Sequence, residues 1–409
     1  MSNNEFKKTT DNEQIKSFDD EQEKVLPASA VEPSTEAGDL FIANEAEDRV
    51  SVASNWTLVW WRFRKNKLAV VSVVILLFLA VVVLVPDFFA TGDPEKTEAQ
   101  LAFIPPQHIR FSFQQGRLRT WVPSVTGARD PVTLRMVWQI DETQPIYIDF
   151  FGRGRPYRIL GLIETNIHLI STVNSEDLYK LHLLGTDRLG RDQWSRLVYA
   201  TRVSMTIGMA SVIISIILGL ILGGISGYYG GLADNVIQRL IELLQSLPVI
   251  PIWLALTAAL PRTWSPEQVF FAITIILALR GWTTLAREVR GRFLSLREED
   301  FIMAAELIGC SRARTIFVHM IPTFTSHIIA TSTLAIPIII VTETSLSFLG
   351  LGLRPPAISW GVMLQEAQNI QALALAPWLL IPGVLVIISV MVFNLAGDGM
   401  RDAADPYGH

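Results

Sequence analysis

The chain has 409 residues, half of them hydrophobic, with a mean hydropathy of +0.35 and only 18% charged residues. Its apolar residues fall in long uncharged runs, which excludes an ordinary soluble domain and points to a membrane protein. The formal net charge of −5 belongs to the first 50 residues, where 13 acidic face 5 basic side chains. A single cysteine, Cys310, excludes an intramolecular disulfide framework and any multi-cysteine metal site.

Residues 1–50 are acidic and poor in aromatics and cannot bury enough apolar surface to offset chain entropy. The expectation is a disordered acidic cytoplasmic tail over 1–55. No cleavable secretory signal is expected, because the first apolar run begins only at Leu68. Residues 56–90 read as an interfacial segment, Trp56 to Lys67, followed by a first span, Leu68 to Pro86. Arg62, Arg64, Lys65 and Lys67 precede that span and predict a cytoplasmic N-terminus. Residues 91–199 read as an extracytoplasmic insertion, α+β or β-rich. Strand-like pieces occur at 132–140, 146–151, 157–163 and 167–173, separated by turn residues that include Gly127 and Pro145.

From His182 to Met205, Gly185, Asp187, Gly190 and Asp192 predict a tight turn before a helix. No Lys-Ser/Thr follows, so this is not a phosphate-binding loop. Residues 200–400 then read as a five-helix core. Helix two is Val203–Ala233, with small residues Gly219, Gly223, Gly224 and Gly227 suited to close packing in lipid. Helix three is 236–260, bent by Pro248 and Pro251. Helix four is 268–286, interrupted by Arg280. Helix five is 325–349, with Pro337 and Glu343 inside it. Helix six is 375–396, and 401–409 forms a cytoplasmic tail. The fold class is therefore an all-α polytopic membrane protein of six transmembrane helices with an inserted domain. Six arginines in 287–314 against one each in 261–266 and 351–377 place both termini in the cytoplasm.

The charged loop 287–322 holds a short apolar helix, Phe301 to Ile308, containing Ala304, Ala305 and Glu306. Gly309 suits the left-handed residue that ends a helix. Ser311 stands where an N-cap would open the next one, and Pro322 precedes the following span. Arg312 and Arg314 flank the small-residue face of Ala304, Ala305 and Gly309. An ordinary juxtamembrane loop held inside by its arginines would explain the same residues.

Glu343, Arg280 and Glu242 are the charged groups in or near spans, where charge is costly and usually faces a bundle interior or a wet cavity. They are candidates for lining or gating a pathway; the alternative for Glu343 is an internal pair, for instance with Arg280, that fixes packing. No metalloprotease, serine-hydrolase or P-loop pattern occurs. The six histidines show no metal-ligand spacing. The basic residues lie beside the membrane, so nucleic acid is not an expected partner.

The loop resembles the EAA loop of ABC importer permeases: Glu-Ala-Ala, three residues, Gly, nine residues, then Ile-x-Leu-Pro. Ala304, Ala305, Gly309 and Pro322 fall at that spacing, Ile321 takes the Leu place, and Met303 and His319 stand where Glu and Ile would. The run around Gly185–Asp192 and the stretch Val341 to Gly352, with Pro355, Pro356, Trp360 and Gly361, also look like signatures of the dipeptide/oligopeptide/nickel permeases, C-type subunit. The resemblance covers Trp56–Val85 and His182–Ala404. It implies a type I ABC permease fold in a bacterial cytoplasmic (inner) membrane and no enzymatic activity in this chain. It implies no cofactor here, with ATP and Mg bound by two partner ATP-binding subunits that receive the loop in a cleft. A second, B-type permease subunit and an extracytoplasmic solute-binding protein would complete the importer. Peptides are the favoured cargo, although nickel and opines use related permeases. The insertion, by position, is a docking or lid surface for the binding protein. Two rivals stand beside this reading: an ion-gradient-driven secondary transporter, which predicts inverted repeats, and a membrane receptor or scaffold built around the insertion.

Overall fold

The computed structural model describes residues 55–114, 117–132, 136–174, 180–369 and 374–404. The expected acidic tail and the last residues of the C-terminal tail lie outside them. The chain opens with α1 (Asn55–Lys65) and α2 (Lys67–Leu84). Asn66 separates the two and caps the second, its side chain accepting from the Ala69 amide at 3.1 Å. The 18 residues of α2 rise about 27 Å, close to the thickness of a hydrocarbon core. Only Ala69, Ser72, Leu79 and Val82 of it are buried, so most of its apolar surface is free to face lipid.

A short α3 (Pro86–Phe89) leads into the strands β1 (Arg110–Gln114), β2 (Arg117–Arg129), β3 (Met136–Phe150), β4 (Arg153–Ile159), β5 (Ile163–Ile167) and β6 (Ile170–Thr172). They form an antiparallel sheet ordered β1-β2-β3-β6 and a separate β4–β5 hairpin. Two expectations differ here. Gly127 and Pro145 read as turn residues, yet Gly127 pairs with Trp138 and Pro145 with Pro123 inside one long ribbon. A register shift between Pro123 and Ser124 absorbs the prolines, which have no ladder N–H to give.

The helices that follow are α4 (Gln193–Tyr229), α5 (Gly231–Ser246), α6 (Val249–Ala258), α7 (Pro266–Leu296), α8 (Asp300–Leu307), α9 (Thr325–Phe348), α10 (Trp360–Ala367) and α11 (Ile381–Ala404). Helix α4 begins ten residues before its expected start, because its first turns are polar and its 37 residues, about 55 Å, outrun a bilayer core of about 30 Å. The expected single third span is instead two helices, α5 and α6, bent by 88°. Pro248 falls at the break and cannot donate to the carbonyl four residues back. Among the described residues, five helices are thus long and apolar enough to cross a membrane, or six spans if α5 and α6 count as one.

The packing of α4 on α7 uses the expected glycines. Gly219 faces Leu285, Gly223 faces the Ala286 backbone, and Gly227 faces Arg290 and Phe293. A methyl group at Gly223 would sit 2.5 Å from the Ala286 carbonyl oxygen. Ser211 and Ser215 donate across the same seam to the carbonyls of Thr274 (3.0 Å) and Ala278 (3.2 Å). Close backbones and interhelical hydrogen bonds are what hold helices together where lipid removes the hydrophobic drive. At one end of the bundle lie the strands. At the other, Phe63 and Ala69 pack on Ala403, so the two described ends of the chain share a side.

Candidate functional site

At the end of the bundle away from the strands, α8 forms as the loop predicts. Gly309 adopts φ +90°. The Cys310 amide reaches the Ala305 carbonyl, and the Gly309 amide the Glu306 carbonyl, both at 3.0 Å. This pair of bonds is a Schellman stop, which a residue with a Cβ would strain. Ser311 caps the next turn by accepting from the Arg314 amide at 3.4 Å. That turn runs through a π-helical stretch, Thr315–Met320, to Ile321–Thr323, which contains Pro322.

The small-residue face is split: Ala305 turns inward, while Ala304 and Gly309 stay exposed. Ile302 is completely buried among Phe293, Met320 and Phe324, which roots α8 in the ends of α7 and α9. Opposite this root, Phe301, Met303, Leu307 and Ile308 are exposed, the last two at 88% and 85%. Sequence reasoning missed the fastening to α4. Tyr228 donates its hydroxyl to Glu306 at 2.7 Å, and Arg312 sits 5.5 Å from the Tyr229 ring centroid.

At the strand end, the Gly185–Asp192 turn is a buried ionic joint. Asp187 accepts from the amides of Leu189 (2.8 Å) and Arg191 (3.0 Å) and from Arg191 Nε (2.7 Å). Arg191 and Arg196 both donate through Nη2 to one oxygen of Glu366, each at 2.8 Å. Burial works against the charged Arg191, but Asp187 and Glu366 outweigh it and hold its pKa above the ordinary value. Asp192 caps α4, accepting from the Ser195 amide at 2.8 Å, and also accepts from the Thr91 hydroxyl at 3.1 Å. Gly185 and Gly190 have φ of +73° and +72°, and a Cβ on either would collide with the carbonyls of Ile104 and Glu98. Arg196 and Glu366 were not legible as partners, since 170 residues separate them in sequence.

The three charged candidates take separate partners. Glu343 is fully buried in α9 and accepts from Ser204 Oγ of α4 (3.0 Å) and from Ser347 Oγ (2.8 Å). Those hydroxyls in turn accept from the Trp360 amide (3.1 Å) and the Leu353 amide (3.0 Å). Glu343 thus ties α4 to α9 and to the segment entering α10. Arg280 does not meet it; its Nη1 donates to the Leu244 carbonyl at 2.7 Å. Leu244 is the residue whose helical partner would be Pro248, so Arg280 supplies the donor that proline lacks. Glu242 forms an exposed pair with Arg239 at 2.8 Å on α5.

Arg280→Met should strand the Leu244 carbonyl at a cost of about 1–3 kcal/mol. The expected result is a lower thermal midpoint in detergent. An unchanged midpoint would mean that the Leu244 carbonyl finds another donor when Arg280 is gone.

The comparisons with known proteins point one way. Residues 206–407 match the family described as "Binding-protein-dependent transport system inner membrane component". Residues 54–106 match the "N-terminal TM domain of oligopeptide transport permease C". The oligopeptide transport system permease protein OppC of Bacillus subtilis (strain 168) is 37% identical over 228 residues, 56% of this chain and 72% of that protein. The OppC protein of Escherichia coli (strain K12) is 38% identical over 234 residues, 57% of this chain and 75% of that protein. A solved structure titled "Inward facing conformations of the MetNI methionine ABC transporter" aligns with 51% of this chain and 96% of its own at 16% identity, with a TM-score of 0.40. On the family matches and the two OppC relatives, the chain belongs to the C-type oligopeptide permeases, multi-pass inner-membrane components of binding-protein-dependent ABC transport systems.

Proposed function

We propose that this chain is one of two permease subunits of an ATP-driven peptide importer, with both termini in the cytoplasm and the strands outside. The observation that carries the reading is α8. It is rooted by Ile302 and Ala305, fastened to α4 through Tyr228–Glu306, and offers an uncovered apolar face at Leu307 and Ile308. Such a face on a helix this short needs a partner surface. An ATP-binding subunit that receives it would move α8 as a rigid unit, and the joints to α4, α7 and α9 would carry that motion into the spans. Differential contacts in two states would then bias the bundle between inward-open and outward-open forms.

In this reading Glu343 and the Arg191–Arg196–Glu366 cluster are joints that keep the strand end rigid while the opposite end moves. ATP and Mg belong to two partner subunits, and an external binding protein delivers cargo. The names of the relatives support peptides.

The test is uptake of a labelled oligopeptide into vesicles holding this chain with its partner permease and ATP-binding subunits. Uptake is expected only with ATP inside and binding protein outside. Uptake driven by an imposed ion gradient without ATP would favour a secondary transporter.

A further inference from the structure

The β4–β5 hairpin lies in 107–205, which neither family match covers. Its tip is unusual for water. The Leu162 amide donates to the Ile159 carbonyl at 2.9 Å, and the two residues between, Leu160 and Gly161, have φ of +49° and +75°. A two-residue hairpin turn of this kind favours Asn, Asp or Gly at both places, because a larger side chain is strained there. Here a leucine occupies the first. Leu160, Leu162 and Ile163 are 63%, 84% and 64% exposed. Nothing in the local turn chemistry accounts for three adjoining apolar side chains at an exposed tip.

The hairpin's position is fixed against the end of the first span. Arg155 donates to Asp87 (3.0 Å) and to the Tyr199 hydroxyl (3.1 Å). The buried His168 ring links the carbonyls of Arg155 (2.9 Å) and Asp87 (2.8 Å). The tip then closes a cavity of about 90 Å³ together with Leu84 and Val85 at the end of α2 and Arg202 of α4. Arg202 is the last charge before the uncharged run Val203–Ala233, so it marks the level at which hydrocarbon begins. Its guanidinium makes no side-chain hydrogen bond or ion pair among the described residues. On α2, Phe78, Val81 and Leu84 are exposed and continue the tip's apolar surface down the span. Phe88 and Phe151, ring centroids 6.0 Å apart, stand near the same boundary, where aromatic side chains prefer to lie.

We propose that the β4–β5 hairpin is a membrane anchor whose tip, Leu160 to Ile163, enters the leaflet next to the outer end of the first span. Arg202 lies at the headgroup level, where anionic phosphates attract it, while Arg158 is already paired with Glu164 across the hairpin. The anchor fixes the strand segment to the bilayer surface. The proposal rests on the membrane reading of α2 and α4, not on the cargo or the energy source.

The test uses the full chain in nanodiscs of phosphatidylethanolamine and phosphatidylglycerol, with Cys310→Ser as background and a nitroxide on Leu162→Cys. Phe78→Cys gives a lipid-facing reference. Val132→Cys, at a site 87% exposed in the β2–β3 turn, gives an aqueous one. Collision with oxygen is expected to exceed collision with a water-soluble nickel chelate several-fold at Leu162, as at Phe78 and opposite to Val132. A Leu162 label that behaves like Val132 overturns the anchor. So does one that is water-accessible until a solute-binding protein is added, since the tip is then a protein contact. Because Leu162 is exposed, the label leaves folding intact. Failure of ATP-driven uptake would leave this result unchanged, so the two readings fail separately.

Discussion

Glu366→Ala should destabilise this protein by about 3–5 kcal/mol, the cost of leaving buried charge without its partner. Glu366 holds two guanidiniums on one carboxylate oxygen, each at 2.8 Å, and Arg196 is only 1% exposed. Without Glu366, Asp187 is the one acid left within ion-pair distance of Arg196 among the described residues, 3.8 Å away, and Arg191 already engages it at 2.7 Å. Two cations would then share one carboxylate in a site that water barely reaches. Glu366→Gln should fall between, since it keeps an acceptor but not the charge. Glu242→Ala is the internal contrast, because its pair with Arg239 is exposed and worth at most about 1 kcal/mol. Denaturant unfolding in detergent, read as a shift in midpoint at constant slope, separates these outcomes. A wild-type midpoint for Glu366→Ala would mean that water enters the cluster.

Leu307→Asp combined with Ile308→Asp should abolish docking of an ATP-binding subunit while leaving the chain folded. Both side chains are more than four-fifths exposed, at 88% and 85%, so neither contributes to the core of the isolated subunit. Exposed substitutions of this kind usually change stability by no more than about 0.5 kcal/mol. At the centre of an interface the same residues would become buried, unpaired charges. A hot-spot loss of at least about 2 kcal/mol, roughly thirty-fold in affinity, is then the minimum. Ile302 offers the converse case: it is completely buried, so its truncation would damage the root of α8 and confuse folding with docking.

Much of this architecture was readable from residue pattern alone. Long apolar runs located α2, α4, α7, α9 and α11, two of them despite a charge at Arg280 or Glu343, because a bilayer imposes length and apolarity together. The glycines of α4 announced a close seam, and Gly309 and Ser311 announced a stop and a start, since each acts through its own backbone. What stayed hidden depends on partners distant in sequence. Gly127 and Pro145 read as breakers, yet both lie in one long strand pair whose register shift accommodates the proline. Arg280 read as an interruption of a span, while its role follows from Pro248 on a different helix. Glu366 carries no local signal, and neither does Tyr228 as the anchor of Glu306. The hairpin tip was hidden for another reason: Leu160 and Leu162 look like ordinary strand residues until the turn between them is seen.

In the proposed importer, α8 is the surface through which ATP-driven motion enters this chain. The direct measurement is co-purification from gentle detergent, with the tag on this chain and the ATP-binding subunits co-expressed. Wild type should bring down those subunits, and Leu307→Asp with Ile308→Asp should lose them at equal yield of folded, monodisperse permease. Equal recovery of the ATP-binding subunits with both chains would contradict the account, and so would their absence from the wild-type preparation with ATP present.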